Sequence, residues 1–315
     1  MANIAMVLDG RDSGDTEGTW KTFHNFLDEA SAANKNIVLA AESFDGKDIN
    51  VAKFASLLKP WKKVRIVLAL RRFYEWLPSL YFEWHRYRVD PFPSFSQWMS
   101  SIGMNSASSR HEIQASSVVK RFKEHFDNIK VLDYHSNKPM KIQFYCDSIP
   151  GAEKACDRAK REEDRRVNGG GALEYLRLVV AARRKGLLDT SEIENKEKKC
   201  NTHQCKFFPG RVINRYLHQI AQRAEKFQID SLNKTFMDMP HNCSKETFAI
   251  MWDITLDEEK ELGPLKVDHK QLAESDLRRE FDAYVEKKRT KLCSLRVDEI
   301  LEEDEWKKFF KNISR

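Results

Sequence analysis

The chain has no long apolar run. No window of its 315 residues holds the roughly 18 consecutive apolar residues that a membrane-spanning helix needs. Cysteine is sparse as well, with 6 residues in the whole chain, which excludes a small disulfide-held scaffold. Charge of one sign is also missing, because 54 basic residues are interleaved with 48 acidic ones and the net charge is only +6. We therefore expect a chain that buries a large core, has no membrane segment and has no nucleic-acid partner.

The first half of the chain alternates patterns that are typical of strands and helices. Residues 36–41 and 64–70 are short apolar runs typical of buried strands, and residues 49–58 between them have the periodicity of a helix. This order predicts a β-α-β unit with parallel strands, whose carboxyl ends face one crevice. A further strand is predicted at residues 128–134.

The second half has mainly helical patterns from residue 152 onward, with a glycine break at 169–171 and a charged linker at 190–199. The sequence therefore predicts an α/β fold in which a parallel sheet is flanked by helices and the C-terminal half is mostly helical. We expect an α/β region at residues 1–190 and a helical extension packed on it at residues 191–315.

Polar residues that could hold a phosphate follow the predicted strand at residues 64–70. Arg71 and Arg72 come directly after it, and Ser79 lies further along on the next predicted helix. A guanidinium offers forked donors to phosphate oxygens, and a serine hydroxyl and a helix N-terminus add more. Spacing alone favours a plainer interpretation, in which the arginines mark the exit from the core and Ser79 is an ordinary helix residue.

The same segment carries a family resemblance. Residues 70–81, Leu-Arg-Arg-Phe-Tyr-Glu-Trp-Leu-Pro-Ser-Leu-Tyr, resemble the 3'-phosphate-binding motif of sulfotransferases that use 3'-phosphoadenosine 5'-phosphosulfate. Residues 36–45, 129–135 and 144–152 are similar, in the same order, to other segments of algal and microbial members. The resemblance implies a P-loop-like sheet, binding of the donor's 3'-phosphate by Arg71 and Ser79, no metal, and a hydroxyl acceptor, with a carbohydrate as the first choice.

The chain departs from this family at two places. Ala40 and Ala41 replace both serines of the Ser-Ser-Glu pattern, although the glutamate is kept as Glu42. No Lys-Thr-Gly-Thr-Thr-like loop, which binds the 5'-phosphosulfate in the family, occurs in the chain, and by the family's order we expect it upstream of Met1. Transfer activity of this chain is therefore expected to be poor or absent. The alternative function is a non-catalytic binding or scaffold protein that keeps the nucleotide half-site.

Glu42 is the predicted catalytic base. A carboxylate at a strand's carboxyl end can take the proton of an attacking hydroxyl, but Glu42 fits equally well in a turn that closes the strand. His85 is a weaker candidate base, its alternative being a surface histidine. Tyr81, Trp84 and Tyr87 would either stack on adenine or pack in the core.

Cysteines and glycosylation triplets bear on the compartment. Cys146 and Cys156 bracket one loop, and Cys200 and Cys205 bracket another, so one or two local disulfides fit the sequence. Acceptor triplets for N-glycosylation, which also arise by chance, begin at Asn233, Asn242 and Asn312. The family resemblance implies the Golgi lumen if an N-terminal anchor is missing from this chain, and the cytoplasm otherwise. The oligomeric state has no signal in the sequence.

Overall fold

The computed structural model describes residues 16–40, 44, 46, 49–104, 114–161, 173–199, 210–268 and 271–313. Their fold is α/β and mostly helical. In chain order, the elements are α1 Thr16–Ala32, α2 Val51–Leu57, β1 Ile66–Leu70, α3 Phe73–His85, α4 Phe95–Ser101, α5 Ala115–Lys123, β2 Ile129–Asp133, α6 Met140–Ile142, α7 Glu153–Arg161, α8 Leu173–Arg184, α9 Ser191–Lys198, α10 Arg211–Asp230, β3 His241–Asn242, α11 Lys245–Leu262, α12 Glu274–Lys287, α13 Arg289–Leu292, β4 Ser294–Leu295, α14 Val297–Ile300 and α15 Asp304–Ile313.

The chain divides into two compact units, each built from three separate stretches. The first unit comprises Met1–Arg71, Ala107–Asp164 and Leu256–Leu272. The second comprises Arg72–Ser106, Arg165–Thr255 and Ala273–Arg315. The sequence divides the chain at residue 190, a point that lies inside a stretch of the second unit.

The first unit contains a parallel pair of strands. β1 lies beside β2, with Ile66 opposite Ile129 and Leu70 opposite Asp133. Both strands confirm their predictions from the sequence. The predicted strand at 36–41 is wrong over its described residues 36–40, which form no ladder. Ile37 and Leu39 pack against the core while Val38 points to solvent, so this run buries its apolar side chains without pairing its backbone.

The core of the first unit lies between the strands and three helices. Its buried side chains come from α1, α2, α5, β1 and β2, among them Phe23, Leu27, Val51, Phe54, Val119, Phe122, Leu70, Ile129 and Val131. Phe26 on α1 is 48% exposed although its neighbour Leu27 is buried, so the part of α1 that packs in the core is a narrow apolar stripe. A disulfide between Cys146 and Cys156 joins the π-helical turn Gln143–Ser148, which follows α6, to α7. This confirms one of the local disulfides that the sequence allows.

The second unit is mainly helical. α8 and α10 are buried along their facing sides, with Leu178, Val179, Leu217 and Ile220 in the core. The predicted linker at 190–199 is wrong, because most of it forms α9. β3 and β4 form a short antiparallel pair, next to a disulfide between Cys243 and Cys293 that the sequence did not indicate. Among the described helices of the chain, none is both long and apolar enough to span a membrane.

Candidate functional site

The candidate site lies at the carboxyl edge of the β1–β2 pair in the first unit. Because the strands are parallel, Arg71 after β1 and Tyr134 after β2 leave the sheet at the same edge. The Tyr134 N–H donates to the Leu70 carbonyl at 3.0 Å, so the ladder continues to this edge. The Arg71 side chain is exposed. An exposed guanidinium at the edge where open α/β sheets bind ligands is suited to an anion.

A buried cluster of charges lies directly behind this edge. Lys266 is 1% exposed, and its Nζ lies 2.7 Å from Asp133 Oδ2 and 2.8 Å from Glu259 Oε2. The backbone beside it runs parallel to β2, and the Val267 N–H donates to the Val131 carbonyl at 3.0 Å. The Lys266 ammonium thus lies between two buried carboxylates. Without it each carboxylate would be a buried charge with no counter-ion, which would strongly destabilise the fold.

Backbone N–H groups donate further hydrogen bonds to both carboxylates. The His135 N–H donates to Asp133 Oδ1 at 2.8 Å, and the Leu272 N–H donates to Glu259 Oε1 at 3.0 Å. Burial alone would raise the pKa of Asp133, but the hydrogen bonds from Lys266 and His135 and the charge of Lys266 outweigh it. The pKa of Asp133 therefore lies below its ordinary value. An ionised, fully bonded Asp133 is a structural group and a poor proton acceptor.

The Gln143 side chain forms hydrogen bonds with the backbone at the end of β2, as a neighbouring strand would. Its Oε1 accepts from the Asp133 N–H at 2.9 Å, and its Nε2 donates to the Asp133 carbonyl at 2.8 Å and to the Lys138 carbonyl at 2.7 Å. The side chain is almost completely buried. Gln143 therefore satisfies backbone groups that would be unpaired at an open sheet edge.

A cavity of about 290 Å³ opens beside this end of β2. It is lined by Lys130, Ser136, Lys138, Gln143, Asp147, Val267 and Asp268. The two lysines face two aspartates, and Lys138 is already paired with Asp147 at 2.8 Å. This balanced lining does not select for an anion, so the exposed Arg71 remains the anion-binding candidate of the first unit.

The other residues of the predicted phosphate motif belong to the second unit. Ser79 is half-buried in α3, and its Oγ donates to the Glu75 carbonyl at 3.1 Å. Arg72 is the residue before α3, is buried, and forms an ion pair with Glu280 on α12. The plainer interpretation, in which both arginines merely mark the exit from the core, is therefore wrong for Arg72. Its ion pair with Glu280 joins the start of α3 to α12 within the second unit.

The predicted bases have different outcomes. Glu42 lies outside the described residues. His85 is buried, and not a surface histidine: its ring packs against Tyr81 and Phe92, and its Nδ1 lies 2.8 Å from the Tyr81 carbonyl. Burial lowers the pKa of His85. This setting identifies His85 as a core residue of the second unit.

The aromatic residues of α3 and its C-terminal end separate into two groups. Tyr81 packs in the core against Phe95 and Trp98, and its hydroxyl donates to the Pro93 carbonyl at 2.8 Å. Trp84 and Tyr87 are 56% and 67% exposed. The packing interpretation therefore holds for Tyr81. Trp84 and Tyr87 are largely exposed, although the Trp84 ring contacts Trp98 and the Arg86 guanidinium lies over the Tyr87 ring.

Sequence reasoning missed the polar residues that surround the end of β2. Asp133 had a usable signal, since it is the acidic residue at the end of a correctly predicted strand. Lys266 and Glu259 had none, because they are brought there by a stretch more than a hundred residues further along the chain. Cys200 and Cys205 lie outside the described residues, so their predicted pairing stays a prediction. Comparison of the chain with protein-family models, curated proteins and solved structures gives no match.

Proposed function

We propose that the protein is sulfotransferase-like and binds the adenosine 3',5'-bisphosphate part of 3'-phosphoadenosine 5'-phosphosulfate. The observation that carries the proposal is an exposed Arg71 at the carboxyl edge of a parallel strand pair, directly after β1. The resemblance of residues 70–81 to the family's 3'-phosphate motif adds the nucleotide class. In this proposal the β1–β2 pair is part of a P-loop-like sheet.

The proposed role of Arg71 is to hold the 3'-phosphate through forked N–H donors. Ser79 is the proposed second donor on the sequence motif alone, and within the second unit its hydroxyl donates to the Glu75 carbonyl. Lys266 offsets part of the negative charge of Asp133 and Glu259 behind this edge. Support for the pair of residues comes from the sequence motif and from the setting of each residue in its own unit.

The proposed reaction moves a sulfuryl group to a hydroxyl of an acceptor, with a carbohydrate as the first choice. A bond forms between the acceptor oxygen and sulfur, and the bond from sulfur to the bridging phosphate oxygen breaks. Adenosine 3',5'-bisphosphate leaves, and Glu42 is the proposed acceptor of the hydroxyl proton. A Lys-Thr-Gly-Thr-Thr-like loop is absent from the sequence given, so we expect this chain to bind the nucleotide better than it transfers sulfate.

Calorimetric titration with adenosine 3',5'-bisphosphate tests the binding step. The Arg71→Ala variant should bind about 10- to 100-fold more weakly, since a charge-assisted hydrogen bond contributes about 1.5–3 kcal/mol. Arg223→Ala is the matched control, because Arg223 is also an exposed arginine but lies on α10. Adenosine 5'-monophosphate, which lacks the 3'-phosphate, should bind the original protein and Arg71→Ala alike.

The result that would overturn the proposal is no binding of adenosine 3',5'-bisphosphate, or binding that Arg71→Ala leaves unchanged. Ser79→Ala separates the pair from the single arginine. If it binds as tightly as the original protein, the role of Ser79 is wrong while that of Arg71 stands.

A second candidate function is a non-catalytic binding or scaffold protein that keeps the nucleotide half-site. Two sequence observations favour it: the missing phosphosulfate loop, and Ala40 and Ala41 in place of two serines. Transfer of radiolabelled sulfate to a panel of glycans distinguishes the two functions. Binding without any transfer supports the scaffold function, and transfer that Glu42→Gln abolishes supports the enzyme.

A further inference from the structure

An acceptor triplet for N-glycosylation lies in an exposed turn of the second unit. Asn233, Lys234 and Thr235 connect the end of α10 to the 3₁₀ turn Phe236–Asp238. Asn233 is exposed and has a φ of 50°, the left-handed conformation that asparagine tolerates better than most residues. Its side chain is therefore accessible at the surface of the folded protein.

Hydrogen bonds hold the chain on both sides of this asparagine. Gln228, before it, is bonded to Lys234, directly after it: the buried Gln228 side chain donates from Nε2 to the Lys234 carbonyl at 3.1 Å, and the Lys234 N–H donates to the Gln228 carbonyl at 3.1 Å. After it, Asp238 Oδ2 accepts from the Thr235 N–H and hydroxyl, both at 2.7 Å. None of these bonds uses the Asn233 side chain, so a large group on its amide would leave the turn intact.

The disulfides supply an independent observation on the compartment. Cys146 is bonded to Cys156 in the first unit, and Cys243 is bonded to Cys293 in the second. All cysteines among the described residues are thus paired. Disulfides of this kind form in oxidising compartments such as the lumen of the endoplasmic reticulum, where N-glycans are also attached. The triplet and the disulfides therefore point to the same cellular route.

We propose that Asn233 is an N-glycosylation site. In the attachment step, Asn233 Nδ2 forms a bond to the anomeric carbon of an oligosaccharide carried on a polyprenyl diphosphate. The bond from this carbon to the diphosphate oxygen breaks, the polyprenyl diphosphate leaves, and the amide nitrogen loses one proton to a base of the transferring enzyme. The proposal goes beyond the proposed function and does not depend on it.

The other two triplets differ from this one in their setting. Asn242 lies in β3, where it is paired with Ser294, and the middle residue of its triplet is the disulfide-bonded Cys243. The covalent disulfide and the ladder restrict the backbone of this triplet more strongly than the hydrogen bonds around Asn233 restrict that turn. For the triplet that begins at Asn312, Ser314 lies outside the described residues. Asn242 is therefore the matched control for Asn233.

Peptide mapping of the protein isolated from its native cells tests the proposal without any variant. After treatment with peptide N-glycosidase, the peptide containing residue 233 should carry aspartate at this position, and Asn242 should stay asparagine. In variants expressed from the full-length coding sequence in the same cells, Asn233→Gln should lose the glycosidase-sensitive decrease in mass. Asn242→Gln and Thr235→Ser, which keeps the hydroxyl, should retain it.

Two results would overturn the proposal. One is an unmodified Asn233 in native protein whose cysteines are oxidised. The other is native protein in which Cys146, Cys156, Cys243 and Cys293 are free thiols, because that excludes the oxidising route on which the proposal is based.

Discussion

Lys266 is the single cation between two buried carboxylates in the first unit. The Lys266→Met variant keeps a long apolar stem but leaves Asp133 and Glu259 without their ammonium partner. Removing one member of a buried ion cluster costs about 3–5 kcal/mol, because the remaining charge is buried and uncompensated. We expect the free energy of unfolding, measured by urea denaturation, to decrease by this amount.

Lys120 provides the control for that measurement. It pairs with Glu261 at 2.9 Å in the same unit, but its side chain is 56% exposed. Surface ion pairs contribute about 0–1 kcal/mol, so Lys120→Met should change the unfolding free energy by no more than this. If both lysine variants lose the same free energy of unfolding, the buried cluster stabilises the protein no more than a surface ion pair does.

Glu258 is a buried carboxyl group for which the described part of the chain provides no ion pair. Burial raises its pKa to about 8, although its Oε1 accepts a hydrogen bond from the Ala115 N–H at the start of α5, which by itself lowers the pKa. The folded protein therefore holds a proton on Glu258 that the unfolded chain loses at its ordinary pKa of 4.5. Because the native state binds more protons, this group's stabilisation is complete below the ordinary pKa and is lost as the pH rises toward 8.

The Glu258→Gln variant should remove this pH dependence. Glutamine keeps an oxygen that can accept from the Ala115 N–H, but it cannot ionise. The stability of the variant relative to the original protein should increase as the pH rises from about 4.5 to about 8. The slope is at most about 1.4 kcal/mol per pH unit for one proton. Urea denaturation across this pH range measures it, and parallel stability curves would contradict a buried neutral Glu258.

Local sequence patterns indicate only some of the residues at the candidate site. Arg71 lies directly after β1, as the apolar strand pattern predicts, whereas the binding roles of Arg71 and Ser79 stay predictions. The partners of Asp133 were not found, because ion pairing between distant residues leaves no periodicity. The local sequence pattern predicts which residues lie at the end of a strand. Tertiary packing determines which charged side chains pair with them.

Among the helices, α9 has a structural role that its sequence does not indicate, because it caps the start of α10. Its many charges suggest a solvated linker, yet Glu197 near its end accepts hydrogen bonds from three N–H groups at the start of α10: Gly210 at 3.0 Å, Val212 at 2.6 Å and Ile213 at 3.1 Å. The first N–H groups of a helix have no partner within the helix. Glu197 thus caps α10 from a neighbouring element.

The Glu197→Ala variant should destabilise the first turn of α10. Losing a side-chain cap costs about 1–2 kcal/mol, and faster hydrogen exchange should be confined to the amides near Val212 and Ile213. Glu192→Ala on the same helix is the control, because Glu192 is exposed and pairs with Lys196 on α9 itself. Exchange that rises equally in both variants would mean that α9 merely packs on α10.

Strand prediction succeeded or failed according to whether a neighbouring backbone was present. The apolar runs at 64–70 and 128–134 became β1 and β2 because they pair with each other. The similar run at 36–41 has Ile37 and Leu39 against the core, but no ladder partner over its described residues. Side-chain pattern therefore predicts burial well, whereas strand formation also depends on a partner that the pattern does not specify.

At the scale of the whole molecule, the two units are interleaved along the sequence. The first unit takes Leu256–Leu272 from the far end of the chain, and the second takes Arg72–Ser106 from near its beginning. Changes of composition along a sequence indicate boundaries only where a unit is one continuous stretch. The predicted change to mainly helical patterns at residue 152 and the expected end of the α/β region at residue 190 each describe continuous stretches, whereas each unit is assembled from three stretches.

The two disulfides allow each unit to be perturbed separately. Cys146–Cys156 closes a loop with a sequence separation of 10 in the first unit, and Cys243–Cys293 spans 50 in the second. In the chain-entropy model, the shorter loop contributes about 3 kcal/mol and the longer about 4 kcal/mol, because a longer open loop has more freedom in the unfolded state. Replacing both cysteines of a pair by alanine should therefore cost more in the second unit.

Hydrogen exchange read peptide by peptide separates the two effects. The Cys146→Ala/Cys156→Ala variant should lose protection mainly in residues 114–161, and the Cys243→Ala/Cys293→Ala variant mainly in residues 210–255 and 273–313. If either double variant lowers protection equally in both units, the chain unfolds as one cooperative body. In that case the division into two compact units describes the geometry of the protein and not its unfolding.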